Sequence, residues 1–277
     1  MIQILKDKII INSLNFVAKD IFECGQIFRY KKISSGYICY SLDKSAIIEE
    51  IEGKTIISCK DVDYFYKYFD LDTDYNVITN KLSKDMFMAK AVDFGRGIRI
   101  LRQDLFETII SFIISANNNI SRIQKIIENI CKAFGSVTEF GYAFPTQKQL
   151  LKATASDFKE LGCGYRAEYL FKTLRLIDDQ FERELKILPT ELARKKLLNL
   201  VGVGNKVADC ILLFGLGRLN TFPCDVWIKK VYHEYFEQGH KDNQISNFFV
   251  NYFGELSGYA QQYLFYFQRS GEFFQKV

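Results

Sequence analysis

The sequence predicts an α+β protein, with an N-terminal antiparallel β-sheet lobe and flanking helices over residues 1–95 and an all-helical lobe over residues 96–277. Three observations predict it. The chain has 277 residues, more than one compact domain usually needs. Between Gln26 and Cys59, apolar and polar residues alternate in short runs broken by turn residues. From Arg102 onward apolar residues recur every three or four positions, and nothing reads as a strand.

The β-like runs are "QIFRYKK", "GYICYSL", "SAIIEEIE" and "KTIISC", separated by "SSG", "DKS" and Gly53. They predict an antiparallel meander. Asp61 is placed to cap a helix over "DVDYFYKYFD", and a second helix is expected from Tyr75 to Ala91. Glycines in "DFGRG" (Asp93 to Gly97) suit a boundary between lobes, or equally an internal loop. Beyond it, "RQDLFETIISFIISA", "NISRIQKIIENICKAFG", "TQKQLLKA", "ASDFKELG", "RAEYLFKTLRLIDD" and "PTELARKKLLNL" read as helices joined by Gly, Asn or Pro turns.

Composition narrows the function classes. The 37 basic and 33 acidic residues leave a net charge of +4, which permits a nucleic-acid partner without demanding one. Seven cysteines without a CxxC pair, and two histidines, argue for a reduced chain with neither structural zinc nor a late four-cysteine cluster. No metal or cofactor is expected. The N-terminal "MIQILKDKIIINSLNF" carries lysines inside its apolar stretch and is not a signal peptide, and no run approaches the ~20 apolar residues of a membrane span. A soluble cytoplasmic protein, acting as a monomer, is the expectation.

One stretch concentrates the chemistry. In "LVGVGNKVADCILLF", starting at Leu200, a glycine turn joins two helices. Gly202, Gly204 and the backbone of Val207 can grip a phosphate at the second helix's N-terminus, although a tight interhelical turn is the commoner role of two nearby glycines. The spacing fits neither GxxxxGK[ST] nor GxGxxG. Lys206 falls in the first turn of that helix, where the macrodipole disfavours an ammonium. A neutral amine there is a nucleophile; a phosphate contact or a solvated side chain is the plainer reading. Cys210, four residues on, shares its face and leaves room for a flat ligand, or packs as a small core residue. Asp225, after Pro223, suits an N-cap, and also a carboxylate that stabilises a cation if the two helix starts meet.

These residues resemble the helix-hairpin-helix DNA glycosylases, and specifically 8-oxoguanine DNA glycosylase. The likeness rests on "GVGNKVADC" and "PCDV", and continues in order through "CGQIFRY", "ILRQD", "SFIISANNNISRI", "LGCGYRAEY" and "NFFVNYFGELSGYAQQYLF". It implies excision of a flipped-out 8-oxoguanine from double-stranded DNA, opposite cytosine, followed by strand cleavage at the abasic site through a lysine imine. Under that resemblance Lys206 is the amine and Asp225 the carboxylate that stabilises the cationic sugar. Gly25 accepts the lesion's N7–H, Gln261 binds the Watson–Crick edge, and Phe265 and Cys210 sandwich the ring. Asn117 and Tyr165 fill the vacated stack, and Arg122 and Arg166 read the orphaned cytosine. Read without the resemblance, "NNN" is a helix-ending turn before a capped helix, and the arginines are surface charges. Trp227 stands where eukaryotic relatives have a histidine, so a phosphate contact there falls to an indole N–H. Two other functions remain compatible with the residues, namely a glycosylase for other damaged bases and a non-catalytic damaged-DNA binder.

Overall fold

The computed structural model describes residues 2–12, 14–236 and 239–271. Strands β1 (Ile2–Ile4), β2 (Lys8–Ile11), β3 (Tyr30–Ile33), β4 (Gly36–Ser41), β5 (Lys44–Ile51) and β6 (Lys54–Cys59) form one antiparallel sheet, ordered β1-β2-β6-β5-β4-β3. The expected meander is β3 to β6, but it starts at Tyr30 because the chain at Gln26 turns into the protein interior. The hairpin β1–β2 went unread in the sequence. In β2, Ile9 and Ile11 are buried and Ile10 is not, yet "KIII" is apolar on both faces and so conceals the alternation.

Helices α1 (Ala18–Glu23) and α2 (Val62–Tyr68) cover the buried face, joining Phe22, Phe65 and Phe69 to Ile9, Ile48 and Ile57. Asp61 stands at the N-cap of α2, but its carboxylate makes no capping bond and pairs with Lys44 at 3.3 Å. The expected helix from Tyr75 to Ala91 is two helices, α3 (Tyr75–Leu82) and α4 (Met86–Phe94). Asp85 divides them, its Oδ1 accepting from the N–H groups of Phe87 and Met88 at 2.8 and 3.0 Å.

The helical lobe follows with α5 (Leu105–Ser115), α6 (Ile120–Phe134), α7 (Gln147–Leu150), α8 (Ala155–Phe158) and α9 (Arg166–Thr173). It continues with α10 (Asp179–Ile187), α11 (Thr190–Leu197), α12 (Asn205–Cys210), α13 (Val226–Val231), α14 (Ile245–Phe253) and α15 (Ser257–Arg269). Contrary to expectation it contains strands, the two-residue pair β7 (Val137–Thr138) and β8 (Gly141–Tyr142), which are too short to show a period of two. Nearly every residue of α5 is buried, which makes it the central helix.

The two cores interleave along the chain. Cys24, Phe28, Tyr75 and Met88 pack in the helical core, whereas Leu101 packs under the sheet. A buried pair locks the lobes together: Arg29 meets Glu107 at 3.3 Å, and the Leu42 N–H donates to the other carboxylate oxygen at 2.9 Å. Among the described residues, no helix is long and apolar enough to cross a membrane.

Candidate active site and nucleic-acid interface

The glycine turn is a helix–hairpin–helix, made by α11, residues 198–204 and α12. Gly202 has φ +87, and a Cβ there would lie 2.5 Å from Tyr169 Cδ2, so only glycine lets the turn close onto α9. Gly204 is the exposed N-cap of α12 and provides no side-chain cap. The first helical bond runs from Ala208 N–H to the Gly204 carbonyl at 2.9 Å, so the N–H groups of Asn205, Lys206 and Val207 have no partner within the helix. Val207 as a whole is buried.

Lys206 extends over the face of Phe112, its Nζ 5.4 Å from the ring centroid. Phe112 in turn stacks on Phe214 at 5.6 Å and meets Phe28 edge-on at 5.4 Å. Cys210 is buried beside the amine. Burial pushes its thiol up to about 11, and the Lys206 charge pulls the other way. Asp225 caps α13, with Oδ1 accepting from the N–H groups of Trp227 and Ile228 at 3.0 and 3.1 Å. Burial raises its carboxyl from the ordinary aspartate value, opposed by the Ile228 N–H and then by the charge of Lys206. The charge of Lys206, on the first turn of α12, thus acts on the Asp225 carboxyl at the start of α13.

A buried carboxylate holds α12 in place. Asp209 is 3% exposed and accepts from Arg194 Nε of α11 at 2.8 Å and from Ser246 Oγ of α14 at 3.3 Å. Its pKa is raised to about 6 by burial, against the pull of Arg194.

A second wall is built from the loop after α1 and from α15. Gln26 donates to the Arg99 carbonyl at 2.8 Å and accepts from the Leu101 N–H at 2.8 Å; Gln262 donates to the Cys24 carbonyl at 2.7 Å. These bonds bracket Gly25, whose φ is +87 and whose would-be Cβ lies 2.9 Å from Phe265 Cε1. Gln261, one helical turn before Phe265, is 4% exposed. Its Nε2 donates to the Pro223 carbonyl at 3.2 Å, two residues before Asp225, while its Oε1 is buried and has no partner among the described residues.

An exposed ridge forms the third part. Asn117 follows α5 with φ +49, and Asn119 caps α6 by accepting from the Arg122 N–H at 2.9 Å, so "NNN" is the turn and cap its residue types suggested. Tyr165 is half exposed and donates to the Ala116 carbonyl at 3.3 Å. Arg166, far from being a surface charge, is 3% exposed and spans the carbonyls of Ala116 and Asn117 at 2.7 Å each. Tyr165 also packs on Tyr169 at 5.6 Å, linking the ridge to Gly202.

Comparison with known proteins decides the family. Residues 8–109 match the model of the 8-oxoguanine DNA glycosylase N-terminal domain, and residues 110–249 that of the HhH-GPD superfamily base excision DNA repair proteins. The chain is an 8-oxoguanine DNA glycosylase of the HhH-GPD superfamily. It is 32% identical over 260 residues to an N-glycosylase/DNA lyase of Saccharomyces cerevisiae, covering 81% of this chain and 69% of that protein. It is also 40% identical to the 8-oxoguanine glycosylase/lyase of Clostridium acetobutylicum, whose crystal structure holds double-stranded DNA with cytosine opposite 8-oxoguanine; the match covers 98% of each chain with a TM-score of 0.90. The fold extends to a 3-methyladenine DNA glycosylase of Archaeoglobus fulgidus, at 20% identity, a TM-score of 0.76, and 92% and 95% coverage of the two chains.

Within this glycosylase the residues named from sequence fall into the three groups described, with Lys206, Cys210 and Asp225 in the first, Gly25, Gln261 and Phe265 in the second, and Asn117, Tyr165 and Arg166 in the third. Arg122 is exposed on the first turn of α6, and Trp227 is exposed on the first turn of α13. Sequence reasoning missed Asp209, Gln26, Gln262, Phe112 and Arg269. Asp209 left one signal, a carboxylate inside the apolar run "VADCILLF".

Proposed function

We propose that this chain excises 8-oxoguanine from duplex DNA and then cleaves the strand at the abasic site, with Lys206 as nucleophile and Asp225 as its electrostatic partner. The reading is supported by an amine in the first turn of α12, a buried thiol one turn further along that helix, and the carboxylate that caps α13, whose carboxyl feels the amine's charge. The hairpin N–H groups grip the phosphate backbone without reading sequence. Asn117 and Tyr165 take the place of the extruded base, and Arg122 and Arg166 face the cytosine left behind. Arg166 does so while anchoring the loop that carries Asn117. The indole N–H of Trp227 contributes a phosphate contact.

The lesion lies between Phe265 and Cys210. Its N7–H donates to the Gly25 carbonyl, where guanine's N7 lone pair is repelled, and its Watson–Crick edge satisfies the Gln261 Oε1 that has no partner among the described residues. The Lys206 amine attacks C1′, the glycosidic bond breaks, and its electron pair leaves with the base. Asp225 stabilises the positive charge that develops on the sugar. The amine loses a proton, the sugar ring opens, and a C1′=N imine forms. The imine acidifies the C2′ proton; its removal expels the 3′ phosphate, and water then releases the lysine.

Borohydride trapping tests this directly. Wild type should form a covalent complex with an 8-oxoguanine duplex, and Lys206→Gln should form none and lose roughly 10³-fold or more in strand cleavage. Trapping by the variant, or its absence in wild type, removes Lys206 from the mechanism.

A further inference from the structure

A guanidinium stands beside the pocket with one nitrogen unused. Arg269, at the end of α15, donates through Nη2 to the Glu23 carbonyl and lies over the Phe265 ring, its Cζ 5.2 Å from the centroid. These two contacts fix its plane. Its Nη1 is buried and, among the described residues, has no hydrogen-bond partner. That nitrogen is 3.0 Å from the point where a Gly25 Cβ would stand, and Phe265 Cε1 lies 2.9 Å from the same point. The charge also reaches Cys24, whose thiol burial pushes up to about 12 while Arg269 pulls it down.

A buried charged donor without an acceptor is costly, and so marks a place where a ligand completes the bonding. Resting on the reading that 8-oxoguanine stacks on Phe265 with its N7–H toward Gly25, we infer that Arg269 Nη1 donates to the C8 carbonyl oxygen of the lesion. C8 is bonded directly to N7, so a base that presents N7–H to Gly25 carries its C8 substituent to the edge that Arg269 occupies. Guanine has a hydrogen at C8 and leaves the donor unpaired. Gly25 and Arg269 then read the two atoms that oxidation changes, one as acceptor and one as donor. Arg269 is a specificity-determining residue.

The test is equilibrium binding to duplexes that carry an uncleavable 2′-fluoro sugar under 8-oxoguanine or under 8-thioguanine. The thio base keeps N7–H and the flat ring but replaces the C8 oxygen with a poor acceptor. A third duplex carries a baseless tetrahydrofuran site. Wild type should prefer the oxo over the thio duplex by about tenfold or more, the range of a hydrogen bond to a charged group. Arg269→Met should lose that preference through weaker binding of the oxo duplex, Arg269→Lys should recover part of it, and all three proteins should bind the baseless duplex alike. A purely structural Arg269 predicts that the variant weakens oxo and thio duplexes equally, and that outcome overturns the inference, as does an unchanged oxo-to-thio ratio. If wild type binds the 8-oxoguanine duplex no better than the baseless one, the parent reading fails as well.

Discussion

On the proposed reading, the hairpin that grips the strand and the pocket that takes the base solve the same problem, holding a ligand, with opposite materials. The hairpin exposes its Gly204 tip and offers backbone N–H groups; it has no capping side chain, and Gly204 has nothing among the described residues within 4 Å of its would-be Cβ. The proposed pocket is built from buried and half-buried side chains, and Gln261 and Arg269 each keep one buried polar atom that has no partner among the described residues. Water can hydrate an open backbone at little cost, so the hairpin is ready at all times and indifferent to sequence. Unpaired groups in a closed pocket cost stability until the right ligand pairs them, and that cost is what a wrong base fails to offset. On this proposal, generic affinity and chemical selectivity are thus assigned to different physics in different parts of one site.

Substitution at two positive-φ glycines, Gly25 and Gly202, separates these roles. Gly25→Ala forces a side chain to φ +87 and into Phe265 at 2.9 Å and Arg269 at 3.0 Å. Single-turnover excision of 8-oxoguanine should fall roughly 30-fold or more, equivalent to ~2 kcal/mol of strain and clash. Cleavage of a preformed abasic site, which has no base to accommodate, should change little. Equal losses in both assays would make Gly25 a folding residue and not part of the pocket.

Gly202→Ala should do the reverse. Its Cβ meets the Tyr169 ring at 2.5 Å and the backbone again needs φ +87, so the turn must shift. Affinity for damaged and undamaged duplex should fall together, by roughly tenfold, with the oxo-to-guanine preference intact. Gly204→Ala is the control: its φ is −95 and its surroundings are open, so it should cost no more than about 1 kcal/mol of helix capping. Fluorescence anisotropy on paired duplexes with and without the lesion distinguishes the outcomes.

The same division explains how far the sequence could be read. The hairpin is contiguous, and turn glycines, a misplaced lysine and a helix start are all visible within "LVGVGNKVADC". The pocket is assembled from residues 25, 210, 261 and 265, and only the family resemblance tied them together; without it Gln261 reads as a solvated glutamine, whereas it is 4% exposed. The helical lobe was legible because long amphipathic periods survive noise, as in α6, where Ile123, Ile126, Ile127, Ile130 and Cys131 form one buried face. Strand β2 and the β7–β8 pair were not, since three successive isoleucines hide an alternation and two-residue strands have none to show. Asp209 was passed over because its partners, Arg194 and Ser246, sit 15 and 37 residues away in sequence.

Asp209 supplies the smallest and most sign-sensitive test, since it joins the hairpin to the rest of the lobe. Its folded-state pKa of about 6 lies above the ~3.9 of an unfolded aspartate. Burial therefore outweighs the Arg194 pair, and the fold favours the protonated acid. The stability this group contributes is present in full below about pH 4 and is lost as pH rises through about 6, a change on the order of a few kcal/mol at most. Asp209→Asn cannot titrate. The melting temperature of wild type relative to this variant should therefore be higher at pH 4.5 than at pH 7.5. If the ion pair with Arg194 dominated instead, the folded pKa would lie below the unfolded one and the relative melting temperature would rise with pH. Thermal melts of both proteins at the two pH values decide which of the two forces positions α12.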